Sequence, residues 1–387
     1  MSRVIALCGV LLVLTACGAE VQPVTSVSER DSAGVRIVEY GSIPANLASW
    51  SLSDTADVII GSIGGDGPEL FGRLVSVVEL SDGTIVVADA QARELRAFDR
   101  FGEHLWTAGG SGEGPGEFAT IQSLFVIAGD SMVAIDDRLR RGSVFDRFGR
   151  FTRQFRVELV SIELGRPAII GAMRDGRLVG WTSRYPVESG RSRASLVLNY
   201  LDREGAIATA VANLPGTEWI VSRVRSGMAE QGAPIWGRRT EFSVGEASVV
   251  AATQDRFEVL RFGSAGQLEM IVRVFVDPRV ADDTVHARFA DRDLPGGVMI
   301  PDTLPAIGRI HLDSDDRLWV EEYVAPYEDR EPSWWVFDRE GIAVATATIP
   351  PEFEVHHVGS QHMLGVWRDS LDVPYVERRV IVVTDPS

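Results

Sequence analysis

The chain has 387 residues, 45% of them hydrophobic, with 38 basic residues against 55 acidic and a net charge of −17. That length can bury a large core, while an acidic surface repels phosphate backbones, and no arginine-rich run exceeds RLRR at 138–141, so nucleic acid is not an expected partner. All 38 basic residues are arginine, and the absence of lysine rules out a Walker-type phosphate loop.

Arg3 gives the N-terminus a short positive region, Val4 to Val13 an apolar one too short to span a membrane, and Leu14, Thr15, Ala16 and Cys17 follow at once. These four residues resemble the lipobox of bacterial lipoproteins, with small residues ahead of the cysteine and Gly18 after it. The resemblance covers the targeting segment alone. It implies that residues 1–16 are a signal peptide, that the Cys17 thiol accepts the lipid, and that the mature chain starts there, anchored by acyl chains to a membrane of the bacterial cell envelope. Gly18 stands where an Asp resembles an inner-membrane retention signal in some bacteria, which points to the outer membrane. Cys8 lies in the discarded segment, so the expected mature chain has no disulfide and depends on packing. Residues 17–34 are expected to be the lipidated cysteine and a small, polar, aperiodic tether, and 35–387 the folded domain.

An orphan apolar stretch, ADVIIGSIGG at 56–65, precedes a series of repeats. GGSGEGPGEF at 109–118 holds five glycines, yet it has no dinucleotide-type spacing, Pro115 interrupts it, and strand-like rather than helical residues follow. GGDGPELF at 64–71 places Pro68 and Phe71 as Pro115 and Phe118 stand, 47 residues later. FDRFG recurs with the same spacing at 98–102 and 145–149, and weaker copies follow as LDREG (201–205), FGSAG (262–266) and FDREG (337–341). Short apolar strands after a turn end at Asp89, Asp136, Thr182, Thr253, Glu322 and Arg368.

Six such units predict an all-β fold, a six-bladed β-propeller of four-stranded antiparallel blades. The last unit lacks an outer strand after RRVIVV, and the orphan stretch aligns with HLWTAGGSGE, so the N-terminal strand is expected to close the ring and protect its edges. The glycine runs then carry the chain from the outer strand of one blade to the inner strand of the next. The pattern resembles the NHL-like superfamily of six-bladed propellers, and bacterial propeller lipoproteins in particular, over nearly all of 56–384. Its carriers are GRLVSVVELSDGTIVVADAQARELRAFDRFG in the first unit and RIHLDSDDRLWVEEY in the fifth. Insertions at about 213–238 and 275–304 depart from the pattern; the second contains VADDTVHARFADRD, helix-like before Pro295 and Gly296. Both are candidates for a lid over the central channel.

Chemistry has few signals. DSDD at 313–316 reads as a tight turn, since Arg317 interrupts an EF-hand-type loop, and Asp89 and Asp136 are expected to bond the backbone of their following turns. His356 and His357, adjacent in a strand, face opposite ways and do not clasp one ion, and Ser111 fails the nucleophile-elbow pattern because Glu113 follows it by two. No catalytic set, metal or cofactor is expected. The candidate ligand-binding residues are Arg73, Gln122, Arg239, Arg309, His311 and His356, which fall in or beside the inner strands lining the channel and suit an anionic or sugar-like ligand. Arg309 and His311 share a strand face, so both should enter the channel or both be packed. The expected function is a non-catalytic, membrane-anchored envelope lipoprotein that binds a small-molecule or protein ligand. The alternative, a metal-assisted channel enzyme resembling lactonase or amidating-lyase propellers, would need histidines and carboxylates converging on calcium or zinc at the axis.

Overall fold

The structure, a computed structural model, describes residues 27–158, 168–183, 190–223, 229–232, 236–281, 301–325 and 327–385. Cys17 and the helix-like part of the second insertion lie outside the described residues. Four strands come before the repeats: β1 (Val27–Ser32), β2 (Val35–Tyr40), β3 (Ala48–Leu52) and β4 (Val58–Ile60). The remainder falls into antiparallel groups in chain order. The first is β5 (Leu74–Glu79), β6 (Ile85–Asp89), β7 (Glu94–Phe98) and β8 (His104–Gly109); the second is β9 (Ser123–Ile127), β10 (Ser131–Asp136), β11 (Arg141–Phe145) and β12 (Phe151–Arg156). The third is β13 (Ala168–Ala172), β14 (Leu178–Ser183), β15 (Gly190–Leu201) and β16 (Ile207–Arg223), with β17 (Ala229–Gly232) on its edge. The fourth is β18 (Glu241–Val244), β19 (Ser248–Ala252), β20 (Glu258–Gly263) and β21 (Leu268–Val274); the fifth is β22 (Ile310–Leu312), β23 (Leu318–Glu321), β24 (Ser333–Phe337) and β25 (Ala343–Thr348). The last is β26 (Glu354–Val358), β27 (His362–Arg368) and β28 (Pro374–Thr384). The protein is an all-β propeller, and among the described residues no helix is long and apolar enough to cross a membrane.

Second strands such as IVVAD in β6 and SVVAA in β19 are buried at every position, because neighbouring sheets cover both faces. Six apolar clusters lie between successive groups: Val86 and Leu95 of the first pack with Leu124 and Phe145 of the second, for example, and Ile85 and Phe98 of the first pack with Leu364 and Val376 of the last. Each group starts its first strand on one side of the molecule, the upper face, and makes its first turn on the other, the lower face. Polar contacts across the lower face join consecutive groups: Ser81 Oγ donates to Asp130 (2.6 Å), Ala128 N to Arg174 O (2.7 Å), Arg174 N to Glu246 O (2.9 Å), Arg261 to Asp316 (2.5 Å) and Ser314 N to Val358 O (3.0 Å). His362 Nε2 then meets Glu79 at 2.6 Å, joining the last group to the first.

The N-terminal arm runs along the outer strands of three groups. β2 lies parallel to β21, β3 sits between β25 and β28, and β4 pairs antiparallel with β28 through Ile60 and Val376. Pairing therefore begins at Val27 rather than near Val35, and the strand expected over 56–65 is confined to Val58–Ile60. β1 has all six positions exposed; its Glu29, Arg30 and Asp31 discourage another strand from adding to this free edge.

The glycine joints are built for turning. Gly109 and Gly110 have φ of 98° and 125°, and a Cβ on Gly109 would lie 2.8 Å from Phe118, which is fully buried. Arg141 donates to the carbonyls of Glu113, Gly114 and Glu117, as Arg96 does to those of Pro68 and Leu70. Both joints thus turn carbonyls inward to a cation, the reverse of a phosphate loop, which offers N–H groups to an anion.

Candidate functional site

On the upper face a side chain at or just past the end of the second strand holds the start of the first. Asp89 accepts from Gly72 N (2.8 Å) and Arg73 N (3.1 Å), Asp136 from Ala119 N (2.8 Å), Gln254 from Arg239 N (2.9 Å) and Glu321 from Arg309 N (2.9 Å). Asp89 also takes Gln91 N and Ala92 N, and Asp136 takes Leu139 N, so both carboxylates bond their following turns as expected and form no free acidic rim. One device therefore sets Arg73, Arg239 and Arg309 at equivalent places.

Of the six candidates, the structure gathers Arg239, Arg309, His311 and His356 around the starts of β18, β22 and β26. Arg309 pairs with Glu321 through two hydrogen bonds (2.9 and 2.6 Å) and lies 5.5 Å over the Trp334 ring. Hydrogen bonding to Glu321 outweighs burial and holds Arg309 above its ordinary value. The His311 ring lies 5.8 Å from the same indole, so these two residues do share a face, packed on Trp334. Arg239, exposed, pairs with Glu241. His356 is the extra residue of a β-bulge, skipped between Val355↔Gly365 and His357↔Leu364, and the bulge re-aims it toward Glu354 (3.7 Å). His357 instead faces Glu79, so the adjacent histidines look to different partners. Arg73, exposed, and Gln122, which donates its N–H to Ile135 O, stand on the first and second groups and are not part of this cluster.

The Nε2 atoms of His311 and His356 are buried without a hydrogen-bond partner in the protein. Burial first, then the charge of Arg309 and of His356, pushes His311 down to about 4 against the pull of Glu321, and burial also lowers His356. Both rings are therefore neutral near pH 7, each with a polar nitrogen that needs a partner.

A pH prediction follows. His311 titrates near 6.5 when unfolded and about 4 when folded, so its contribution is fully present above pH 6.5 and is lost as pH falls toward 4. The expected loss is about 3 kcal/mol, and His311→Gln should flatten the decline in melting temperature between pH 6.5 and 4. An unchanged slope in the variant would assign the decline to other groups.

Sequence reasoning missed two clusters. Above the mouth, fully buried Glu218 on β16 pairs with Arg238 (3.3 Å), Asp255 holds Arg193 (2.8 Å) and Arg238 (3.1 Å), and Asp302 holds Arg191 (2.8 Å). Beside them Ala281, Leu304 and Ala325 pack with Trp236, Tyr323 and Tyr327, so the described parts of both insertions meet each other on the upper face. On the lower face Glu79 receives His362 at 2.6 Å and His357 at 3.7 Å; burial pushes Glu79 up, but the His362 hydrogen bond and the charges of His362, His357 and Arg378 hold it below the ordinary carboxylate value. The contrast of acid and base in GTEWI and GRRT is a signal for the first cluster; nothing local marks the second.

No protein-family model matches the chain, and no curated protein matches it. Solved structures do. A protein of Bacteroides fragilis described as exported is 12% identical with a TM-score of 0.50, covering 90% of this chain and 99% of its own. A member of the DUF4221 family from Bacteroides vulgatus is 9% identical with a TM-score of 0.51, covering 88% of this chain and all of its own. At these identities the likeness is one of fold.

Proposed function

We propose that the protein is a lipid-anchored envelope component built on a closed six-bladed propeller, and that it binds, without catalysis, a neutral hydroxyl-bearing ligand of the sugar class at the upper mouth beside β18, β22 and β26. Ring closure is supported by the β4–β28 pairing, the shared core of the last and first groups and the His362–Glu79 contact. The envelope location rests on the leader and Cys17. The observation that carries the ligand class is the pair of neutral imidazoles, His311 and His356, whose buried Nε2 atoms lack a hydrogen-bond partner, that of His356 standing 3.7 Å from Glu354. Their neighbours Arg309 and Arg239 are already neutralised by Glu321 and Glu241, so the mouth offers hydrogen bonds rather than net positive charge. The described parts of the two insertions, which meet above it, act as its cover. Among the described residues no group of three or more His, Cys, Asp or Glu is arranged to hold a metal ion.

Calorimetric titration with neutral oligosaccharides, and with the same sugars bearing carboxylates, tests this reading. His311→Ala and His356→Ala should each weaken binding of a neutral sugar by about tenfold, one lost hydrogen bond in a buried site, while Arg73→Ala leaves it unchanged. Binding restricted to the carboxylated sugars, or indifferent to both histidines, would overturn it.

A further inference from the structure

We infer that the corner of the fourth group where the chain enters the fold rests on the lipid surface, with Phe275, Val276 and Val280 as its contact residues. This rests on the lipidation of Cys17 proposed above. Val27 pairs with Tyr40 on β2, Tyr40 pairs with Val274 on β21, and Tyr40 O accepts the N–H of Phe275 at 2.9 Å. The start of β1 and the end of β21 thus lie at one corner of one sheet. There Phe275 is 60% exposed and Val276 49%, beside Val27 at 42%, and Val280, 68% exposed, follows four residues on, where the chain bridges to Thr303. An apolar group so exposed on an acidic protein needs a cover.

The bilayer is the occupant because of where the chain leaves. Nine residues, 18–26, separate Cys17 from Val27, so the lipidated cysteine lies within roughly 35 Å of this corner whatever path they take. Exposed Asp277, between Val276 and Val280, disfavours an anionic surface. The basic groups of the corner are paired internally, Arg36 with Glu29, Arg30 and Arg273 with Glu39, and Arg279 with Glu328, which leaves apolar contact with a zwitterionic surface as the favoured mode.

β21 ends on the upper face, as β22 begins there, so this contact would turn the ligand mouth toward the membrane side. Because the mature chain has no thiol besides Cys17, Phe275→Cys supplies one labelling site for an environment-sensitive dye. The full-length protein is reconstituted by its own anchor into phosphatidylcholine vesicles, with Phe148→Cys, exposed at a lower-face turn, as the control and Val280→Cys as the second variant should Phe275→Cys fold poorly. A blue-shifted, quencher-protected dye at 275 or 280, and an exposed one at 148, is the expected result. Acylated Cys17 with every dye equally exposed overturns this inference and leaves the anchor standing, whereas an unmodified Cys17 by mass spectrometry overturns both.

Discussion

A chain lacking residues 48–60 should lose cooperative folding altogether, whereas one beginning at Val27 should melt with one that keeps residues 18–26. The deleted segment carries β3 and β4, which pair with two stretches of β28 and, through β3, with β25. It buries Leu52, Val58 and Ile60, each worth about 2 kcal/mol, so roughly 6 kcal/mol of apolar burial leaves with it. That is comparable to the whole stability of an ordinary domain. The loss is also shared, because Ile60 and Val58 pack in the core between the last group and the first; without them that core is left with a gap and β28 loses the strand paired to its outer edge. Ile60→Ala alone should cost about 3 kcal/mol by urea denaturation. If the deletion variant melted as the parent does, the arm would be an ornament and ring closure would have to lie elsewhere.

The second large effect belongs to Asp313. Its fully buried carboxylate accepts from Asp315 N (2.9 Å), Arg317 N (2.8 Å), Arg317 Nε (2.6 Å) and the Trp319 indole N–H (2.9 Å). Asp313→Ala should cost about 4 kcal/mol, since it strands the buried Trp319 donor and leaves Arg317 with Asp315 (3.0 Å) as its remaining carboxylate, beneath the core shared by the fifth and last groups. Asp313→Asn, which keeps one acceptor, should cost about half as much. Four donors already fill this carboxylate, so chelation by EDTA should leave the melting curve of the parent unmoved. A large shift on chelation, matched in Asp313→Ala by insensitivity to EDTA, would restore the calcium reading of DSDD.

Those four letters show what is legible in the chain and what is not. The turns of FDRFG and the second strands ending near Asp89, Asp136 and Arg368 could be placed because each is a local pattern, a turn followed by residues buried on both faces, repeated at a near-constant interval. The arm could not, apart from the pairing of 58–60. β1 is polar throughout, and β3 alternates as ASWSL without any repeat to align it, so only its partners on other groups make it a strand. The mouth was half legible. Alternation placed Arg309 and His311 together, but the bulge that re-aims His356 toward Glu354 is an irregularity of pairing that no spacing announces. Arg73 and Gln122 resemble the others in position along the strand and differ in which group carries them. Glu79 and His362 lie 283 residues apart and meet only because the last sheet returns to the first.

That return has a consequence for the order of events during synthesis. Asp57 on the arm and Arg378 on the last strand bond each other across 321 residues, and β4 pairs with β28, so this early strand waits for the last before it can settle. Until then Val58 and Ile60 lack the side of their core that Leu364, Val366 and Val376 supply. Contacts of such long range form slowly, because the entropy of closing the intervening loop is lost before any pairing compensates it. The vulnerable interval for this protein is therefore the one between synthesis of the arm and arrival of its final strand, when a helper that shields apolar β-strands would matter most.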